Sequence, residues 1–321
     1  MASRRVIGVD MGGSKLLAGV VDRELRVGHS LQRSLSGLDQ AGLIDLAVEA
    51  VQEAGQQADG AVEAAGFGIP CLMDRRTGLA RMAVNLPLGE IDFGAVMEDR
   101  LGMPAFVDND ANVAVLAEHA GGAGRGCTDV VMLTIGTGIG GGVIADGELY
   151  RGATGAGAEL GHMVIDLDGP PCQGNCPNRG CVEALASGTA LAREARRAAA
   201  EQPDSALGRA QAEGREVAGP LVTQLARAGD ATALGVLELV GTRLGVAVAS
   251  LVNIFNPQVV VLGGGVMAAG DLLLEPARAV VAARALPPTR EAARLLPAAF
   301  GAEAGMVGAA ALAWAGLDAR G

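Results

Sequence analysis

A short apolar run, a glycine turn and a second apolar run occur twice in this chain, and that pattern limits the folds open to it. Val6 to Val9 reads as a buried strand, Asp10-Met11-Gly12-Gly13-Ser14-Lys15 as the turn, and Leu16 to Val21 as the returning strand. The second copy runs from Val130 to Ile135, through Gly136-Thr137-Gly138-Ile139-Gly140-Gly141-Gly142, into Val143-Ile144 and an Asp146-Gly147 turn. A strand that turns straight back into a strand is a hairpin, not the strand-to-helix step of a Rossmann or P-loop unit. Helical spacing follows each hairpin: Leu43, Ile44, Ala47, Val48 and Val51, then 111–120, and later 183–199, 231–254, 272–285 and 304–315. Further strands are expected at Ala64 to Ile69, at Phe106-Val107 and at Val259 to Leu262, with a polar surface loop over 202–219. Hairpin first and helices after, twice over, describe an α/β protein of two similar halves.

Both turns have the chemistry to grip a polyphosphate. Glycine lets backbone N–H groups approach phosphate oxygens closely. In the first turn Gly12, Gly13, Ser14 and Lys15 face a phosphate tail, and Asp10 is a candidate ligand for magnesium through water. In the second, Thr137 and the N–H groups of Gly136, Gly138 and Gly140 can wrap the terminal phosphates. A third cluster, Gly263-Gly264-Gly265, has no side chains and suits the flat face of an adenosine. Lys15 is the only lysine among 25 basic residues, a compact point charge kept where phosphate would lie.

The remaining composition mostly excludes. A net charge of −11, no basic stripe and 2% aromatic residues argue against nucleic acid as a partner. No charge-free apolar run reaches the length of a membrane span, and the apolar stretch after Arg5 is too short for a signal-peptide core; a cytoplasmic protein is expected. Three of five cysteines, Cys172, Cys176 and Cys181, crowd together behind His162. Nine residues separate His162 from Cys172, and three and four separate the successive cysteines. One imidazole and three thiolates complete a closed tetrahedral zinc site, structural rather than Lewis-acidic.

In this stretch the sequence resembles the ROK family (repressor, open reading frame, kinase). The family signature combines an Asp-x-Gly-Gly-Thr-Lys turn, an Asn-Asp-x-Asn motif, a Gly-Thr-Gly-x-Gly-Gly turn, and Glu-x-Gly-His followed by zinc cysteines and Cys-x-Glu. Here these are Asp10 to Lys15 with Ser14 for Thr, Asn109 to Asn112, Gly136 to Gly141, Glu159 to His162, and Cys181-Val182-Glu183. Two departures stand out: three residues between Cys172 and Cys176 where many members have one, and Cys71 where a glycine is common. The resemblance implies an actin-like ATPase (ribonuclease H-like) fold, two α/β lobes with a nucleotide cleft between them. The lobes would be 1–116, with 304–321 returning to it, and 117–303 carrying the zinc loop. It also implies an ATP-, magnesium- and zinc-dependent kinase acting on the 6-hydroxyl of a hexose, with glucose the favoured acceptor, and a homodimer or homotetramer. Asp110 would be the catalytic base, and Asn109, Glu159, His162, Glu183 and Asn85 would hold sugar hydroxyls.

Three rivals are weighed against this. A sugar-responsive repressor, the other branch of the family, needs a DNA-binding domain ahead of a first strand that already begins at Val6. A zinc-ribbon nucleic-acid binder conflicts with the acidic charge. Polyphosphate as donor, and mannose, N-acetylmannosamine, fructose or allose as acceptor, stay open.

Overall fold

The computed structural model describes residues 3–320 apart from 75, 76, 78, 84 and 85; Asn85 therefore lies outside the described residues. The first hairpin is β1 (Ser3–Met11) and β2 (Lys15–Val21), continued by β3 (Val27–Ser34), α1 (Gln40–Gln56), β4 (Gly60–Ile69), β5 (Cys71–Met73), β6 (Ala80–Ala83), α2 (Phe93–Leu101), β7 (Ala105–Asn109) and α3 (Asp110–Gly121). The second is β8 (Val130–Ile135) and β9 (Ile139–Ala145), followed by β10 (Glu148–Leu149). Then come α4 (Val182–Ala186), α5 (Gly188–Glu201), α6 (Ala206–Ala212), α7 (Gly219–Arg227), α8 (Ala231–Phe255), β11 (Val259–Gly263), α9 (Asp271–Arg284), α10 (Thr289–Ala292), β12 (Arg294–Pro297) and α11 (Ala304–Arg320).

Two five-stranded sheets result, ordered β3-β2-β1-β4-β7 and β10-β9-β8-β11-β12. In the first, β1 pairs antiparallel with β2 but parallel with β4, and β4 parallel with β7, so the sheet is mixed. The chain divides into two compact units, one of 1–132, 142–158 and 298–321, the other of 133–141 and 159–297.

In the first unit one core cluster gathers Ile7, Val9 and Phe67 of the sheet with Leu43, Ala47 and Val51 of α1 and Phe93 and Met97 of α2. Phe67 and Phe93 meet edge to face at 5.4 Å, so removing either ring should cost about 3–5 kcal/mol. Another cluster seats Ala310, Ala313 and Trp314 of α11 against Val6, Val21 and Ala64. The contact is backbone-close: a side chain at Gly8 or Gly66 would collide with the carbonyls of Met306 or Ala309. Small residues along 304–315, read as a helix from spacing alone, are what allow that approach.

In the second unit α8 is long and apolar enough to cross a membrane by length and composition, yet 61% of that window is buried. It packs on α9, with Gly241 and Gly245 under the Leu273 and Ala277 carbonyls, which is the position of a core helix.

Three local expectations fail. The turn expected over 136–142 ends at Gly138, because Ile139 to Gly142 already belong to β9 and Ile139 and Gly142 bury there. The stretch 202–219 is not all loop, because Ser205 caps α6 by accepting from Gly208 N, and Leu207 and Ala210 bury. The single helix over 183–199 is broken at Ser187, whose backbone is extended and whose hydroxyl accepts from Ala190 N to start α5.

Candidate functional site

Within the first unit the turn after β1 and the step from β7 to α3 each carry carboxylates. Gly12 N donates to the Lys15 carbonyl at 2.9 Å, closing the hairpin turn with Lys15 exposed at the start of β2. The Asp10 carboxylate abuts Gly305, where a Cβ would lie 2.5 Å from Asp10 Cγ. Burial and, after it, the Asp110 charge lift the Asp10 carboxyl to about 7, with Lys15 partly offsetting both.

Asn109 is the cap of α3: its Oδ1 accepts from Ala111 N at 2.9 Å and Asn112 N at 3.3 Å, and its Nδ2 donates to the Cys71 carbonyl at 3.4 Å. Asp110 therefore stands in the first helical turn rather than at the cap, and its Oδ1 also accepts from Ala111 N at 2.9 Å. Burial raises its carboxyl above the usual range, against the hydrogen bonds from Ala111, its own N–H and Asn109 that lower it. Burial and the Asp110 and Asp108 charges push the Cys71 thiol up to about 12, so it stays protonated and inert.

The motif is braced from below by residues the sequence reading did not assign. Buried Asp108 accepts from Asn109 N and Asn112 Nδ2, both at 2.8 Å, and from Arg151 Nε at 2.6 Å. A charge-assisted pair of that kind fixes orientation, and here it fixes the start of α3.

The second unit builds its site on the turn between β8 and β9. Gly136 N donates to the Gly138 carbonyl at 2.9 Å, and the Gly136 carbonyl accepts from Gly188 N at 2.8 Å. The break at Ser187 thus sets the beginning of α5 against this turn. The Thr137 carbonyl accepts from Thr189 Oγ1 at 2.9 Å and from Gln173 Nε2 at 3.0 Å. Glu183 Oε2 accepts from Ile139 N at 2.8 Å, so this carboxylate is anchored to the turn itself. A side chain at Gly138 would meet the Glu183 carboxylate and displace it from the turn. Gly264, just after β11, lies against the Ile135 carbonyl, which brings the third glycine cluster beside the same turn.

The cysteine loop is held by its own backbone. Cys172 N donates to Asn178 O at 2.9 Å, Gly180 N to Pro170 O at 2.8 Å, and a bridge joins Val164 to Cys181. The ligand atoms of His162, Cys172, Cys176 and Cys181 then lie within 4.8 Å of one another. A tetrahedral zinc with bonds of about 2.3 Å to sulfur needs ligand atoms about 3.8 Å apart. Cys172 Sγ is 3.6 Å from His162 Nδ1, and Cys176 Sγ is 3.9 Å from Cys181 Sγ, so the donor set fits that ion despite the longer Cys172–Cys176 spacing. Burial raises both the Cys172 and Cys181 thiols. His162 turns its other nitrogen toward Glu159, with Nε2 3.9 Å from Oε2. Cys172 Sγ also lies 3.6 Å from Glu183 Oε1, linking the metal loop to the glycine turn.

Two mixed five-stranded sheets, each opened by a hairpin with a glycine turn, make the actin-like ATPase fold. The ROK family model matches residues 6–315, and the chain belongs to the ROK family. It is 35% identical over 314 residues to a glucokinase of Thermotoga maritima, covering 97% of this chain and 98% of that protein. The structure of a ROK family glucokinase from Streptomyces griseus, in complex with glucose and AMPPNP, superposes with a TM-score of 0.86 at 35% identity, covering 97% of this chain and 99% of the other. The xylose repressor of Bacillus spizizenii is 29% identical over 306 residues, which are 94% of this chain and 75% of the repressor.

Proposed function

We propose that this protein is an ATP-dependent hexose kinase that transfers the γ-phosphoryl group to the 6-hydroxyl of glucose. The observation that carries the reading is Asp110, a desolvated carboxylate at the start of α3, in the same unit as the Asp10–Lys15 turn. A carboxylate held above its ordinary range is a better proton acceptor than an exposed one. Asp110 takes the proton of the sugar 6-hydroxyl as that oxygen bonds to the γ-phosphorus. The bond from the γ-phosphorus to the β,γ-bridging oxygen breaks in line, and ADP leaves. Lys15 and the backbone donors of Thr137, Gly138 and Gly140 hold the phosphates, the Gly136 N–H being spent on closing the turn, while Gly264 and Gly265 underlie the adenosine. Asp10 would hold a magnesium ion through water, and the ion would supply charge neutralisation on the phosphates.

Glu159, His162, Glu183, Asn109 and Asn85 are assigned to the sugar hydroxyls, because carboxylates accept the hydrogen bonds a hexose ring donates, amides can do either, and an imidazole with Nδ1 toward the metal site donates from Nε2. His162, Cys172, Cys176 and Cys181 would hold a structural zinc ion with no open position, and that cross-link would keep Glu159 and Glu183 in place. The glucokinases of Thermotoga maritima and Streptomyces griseus support the choice of glucose. A cytoplasmic homodimer or homotetramer belongs to the same proposal, and light scattering tests the oligomer.

The similarity to a xylose repressor supports a second reading, a sugar-binding regulator without phosphoryl transfer. A coupled assay for ADP with glucose, magnesium and ATP, repeated with polyphosphate, separates the two. Sugar-dependent ADP release supports the kinase; sugar binding with no transfer from either donor supports the regulator.

A further inference from the structure

Gln173 sits between two zinc-ligand candidates, Cys172 and Cys176. Its side chain leaves the cysteine loop and donates to the carbonyl of Thr137, 36 positions away. The same carbonyl accepts from Thr189 Oγ1, and the preceding carbonyl, Gly136, accepts from Gly188 N. In a trans peptide the N–H points opposite to the C=O. Fixing the carbonyls of Gly136 and Thr137 toward α5 and the cysteine loop therefore turns the N–H groups of Thr137 and Gly138 the other way. Two adjacent N–H groups aimed to one side are what a phosphate oxygen needs. A Cβ at Gly138 would also lie 3.2 Å from Gln173 Nε2, so this amide packs directly under the turn.

We propose that Gln173 is a positioning residue for the nucleotide phosphates: it couples the zinc loop to the β8–β9 turn by holding the Thr137 carbonyl away from them. The inference rests on the reading of that turn as a phosphate loop. It gives the Cys172–Cys176 segment a task beyond holding metal, since that segment carries an amide donor onto the turn. Losing the zinc loop should then weaken nucleotide binding as well as sugar binding.

The test compares binding of AMPPNP and of adenosine to the full chain by calorimetry, with zinc content and glucose affinity measured on the same samples. Gln173→Met keeps the length and removes the donor. Loss of one neutral hydrogen bond should weaken AMPPNP by about three- to tenfold, while adenosine, glucose and zinc stay within twofold. Gln173→Met combined with Thr189→Val, which frees the carbonyl of both side-chain donors, should weaken AMPPNP further. Unchanged AMPPNP affinity in the double variant overturns the proposal. So does loss of zinc or equal weakening of adenosine in Gln173→Met, since the side chain would then be holding its own loop. If the wild-type chain binds AMPPNP no more tightly than adenosine, the phosphate-loop reading itself fails, a result distinct from a silent Gln173.

Discussion

The two glycine turns use one backbone device and surround it with opposite chemistry. The turn after β1 carries its charges nearby: Asp10 before it, Lys15 after it, and Asp110 close enough to raise the Asp10 pKa. The turn after β8 carries no charge of its own, and its carbonyls are tied down by Gly188, Thr189 and Gln173 while Glu183 accepts from Ile139 N. The difference suggests a division of labour. Under the proposed function the first turn would handle cation and proton, where ionisation state matters, and the second would present fixed dipoles, which cost no reorganisation during transfer. Substitutions near the first turn should damage turnover, ATP use or pH dependence, those that free the carbonyls of the second turn should weaken nucleotide binding, and those of the cysteine ligands should lose metal.

The largest effect is expected at Asp110. Asp110→Asn should lower kcat by at least about a hundredfold, with glucose affinity nearly unchanged, in steady-state kinetics paired with calorimetry. A near-normal kcat would reduce Asp110 to a member of the α3 first turn. Next is Cys176→Ser, which should lose its one zinc per chain by metal analysis and melt several degrees lower, because binding energy at a structural zinc is folding energy. Full zinc content in that variant would break the proposed ligand set. Smaller is Lys15→Ala, expected to raise KM for ATP about tenfold through loss of one charge-assisted contact, leaving glucose binding without ATP intact.

The smallest effect concerns pH. Asp10 titrates near 7 in the folded protein instead of its ordinary 3.8. Between those values the folded chain keeps a proton that the unfolded chain has lost, so stability falls as pH rises through that window. Asp10→Asn should therefore melt above the wild type by a few degrees at pH 8 in the absence of magnesium, and the two should converge near pH 4. Parallel melting curves across that range would mean that Asp10 ionises freely and is not desolvated.

What could be read from the chain beforehand was local in sequence. Both hairpins, the His162–Cys172–Cys176–Cys181 donor set and the Asn109–Asp110 step to α3 depend on spacing within a few residues or on one loop. Asp108 with Arg151, and Gln173 with Thr137, are contacts across 43 and 36 positions, and nothing in the spacing of an arginine or a glutamine announces them. The break at Ser187 was legible in principle, since Ser187-Gly188 inside a helical pattern is a cap signal. It was hidden by the unbroken apolar period on either side. The α6 helix was missed for the opposite reason: polar residues and glycines outnumber the buried Leu207 and Ala210 that hold it.

The central claim is that this chain phosphorylates the 6-hydroxyl of glucose. It is tested most directly by kcat/KM for glucose, mannose, N-acetylmannosamine, fructose and allose with ATP and magnesium, with 6-deoxyglucose as the unreactive control. A site whose polar groups pair with hydroxyls discriminates strongly against analogues that leave those groups unpaired. Glucose should give the highest value, its product should be the 6-phosphate, and 6-deoxyglucose should compete with glucose without being phosphorylated. A higher kcat/KM for any other hexose, or phosphorylation of 6-deoxyglucose, would contradict it.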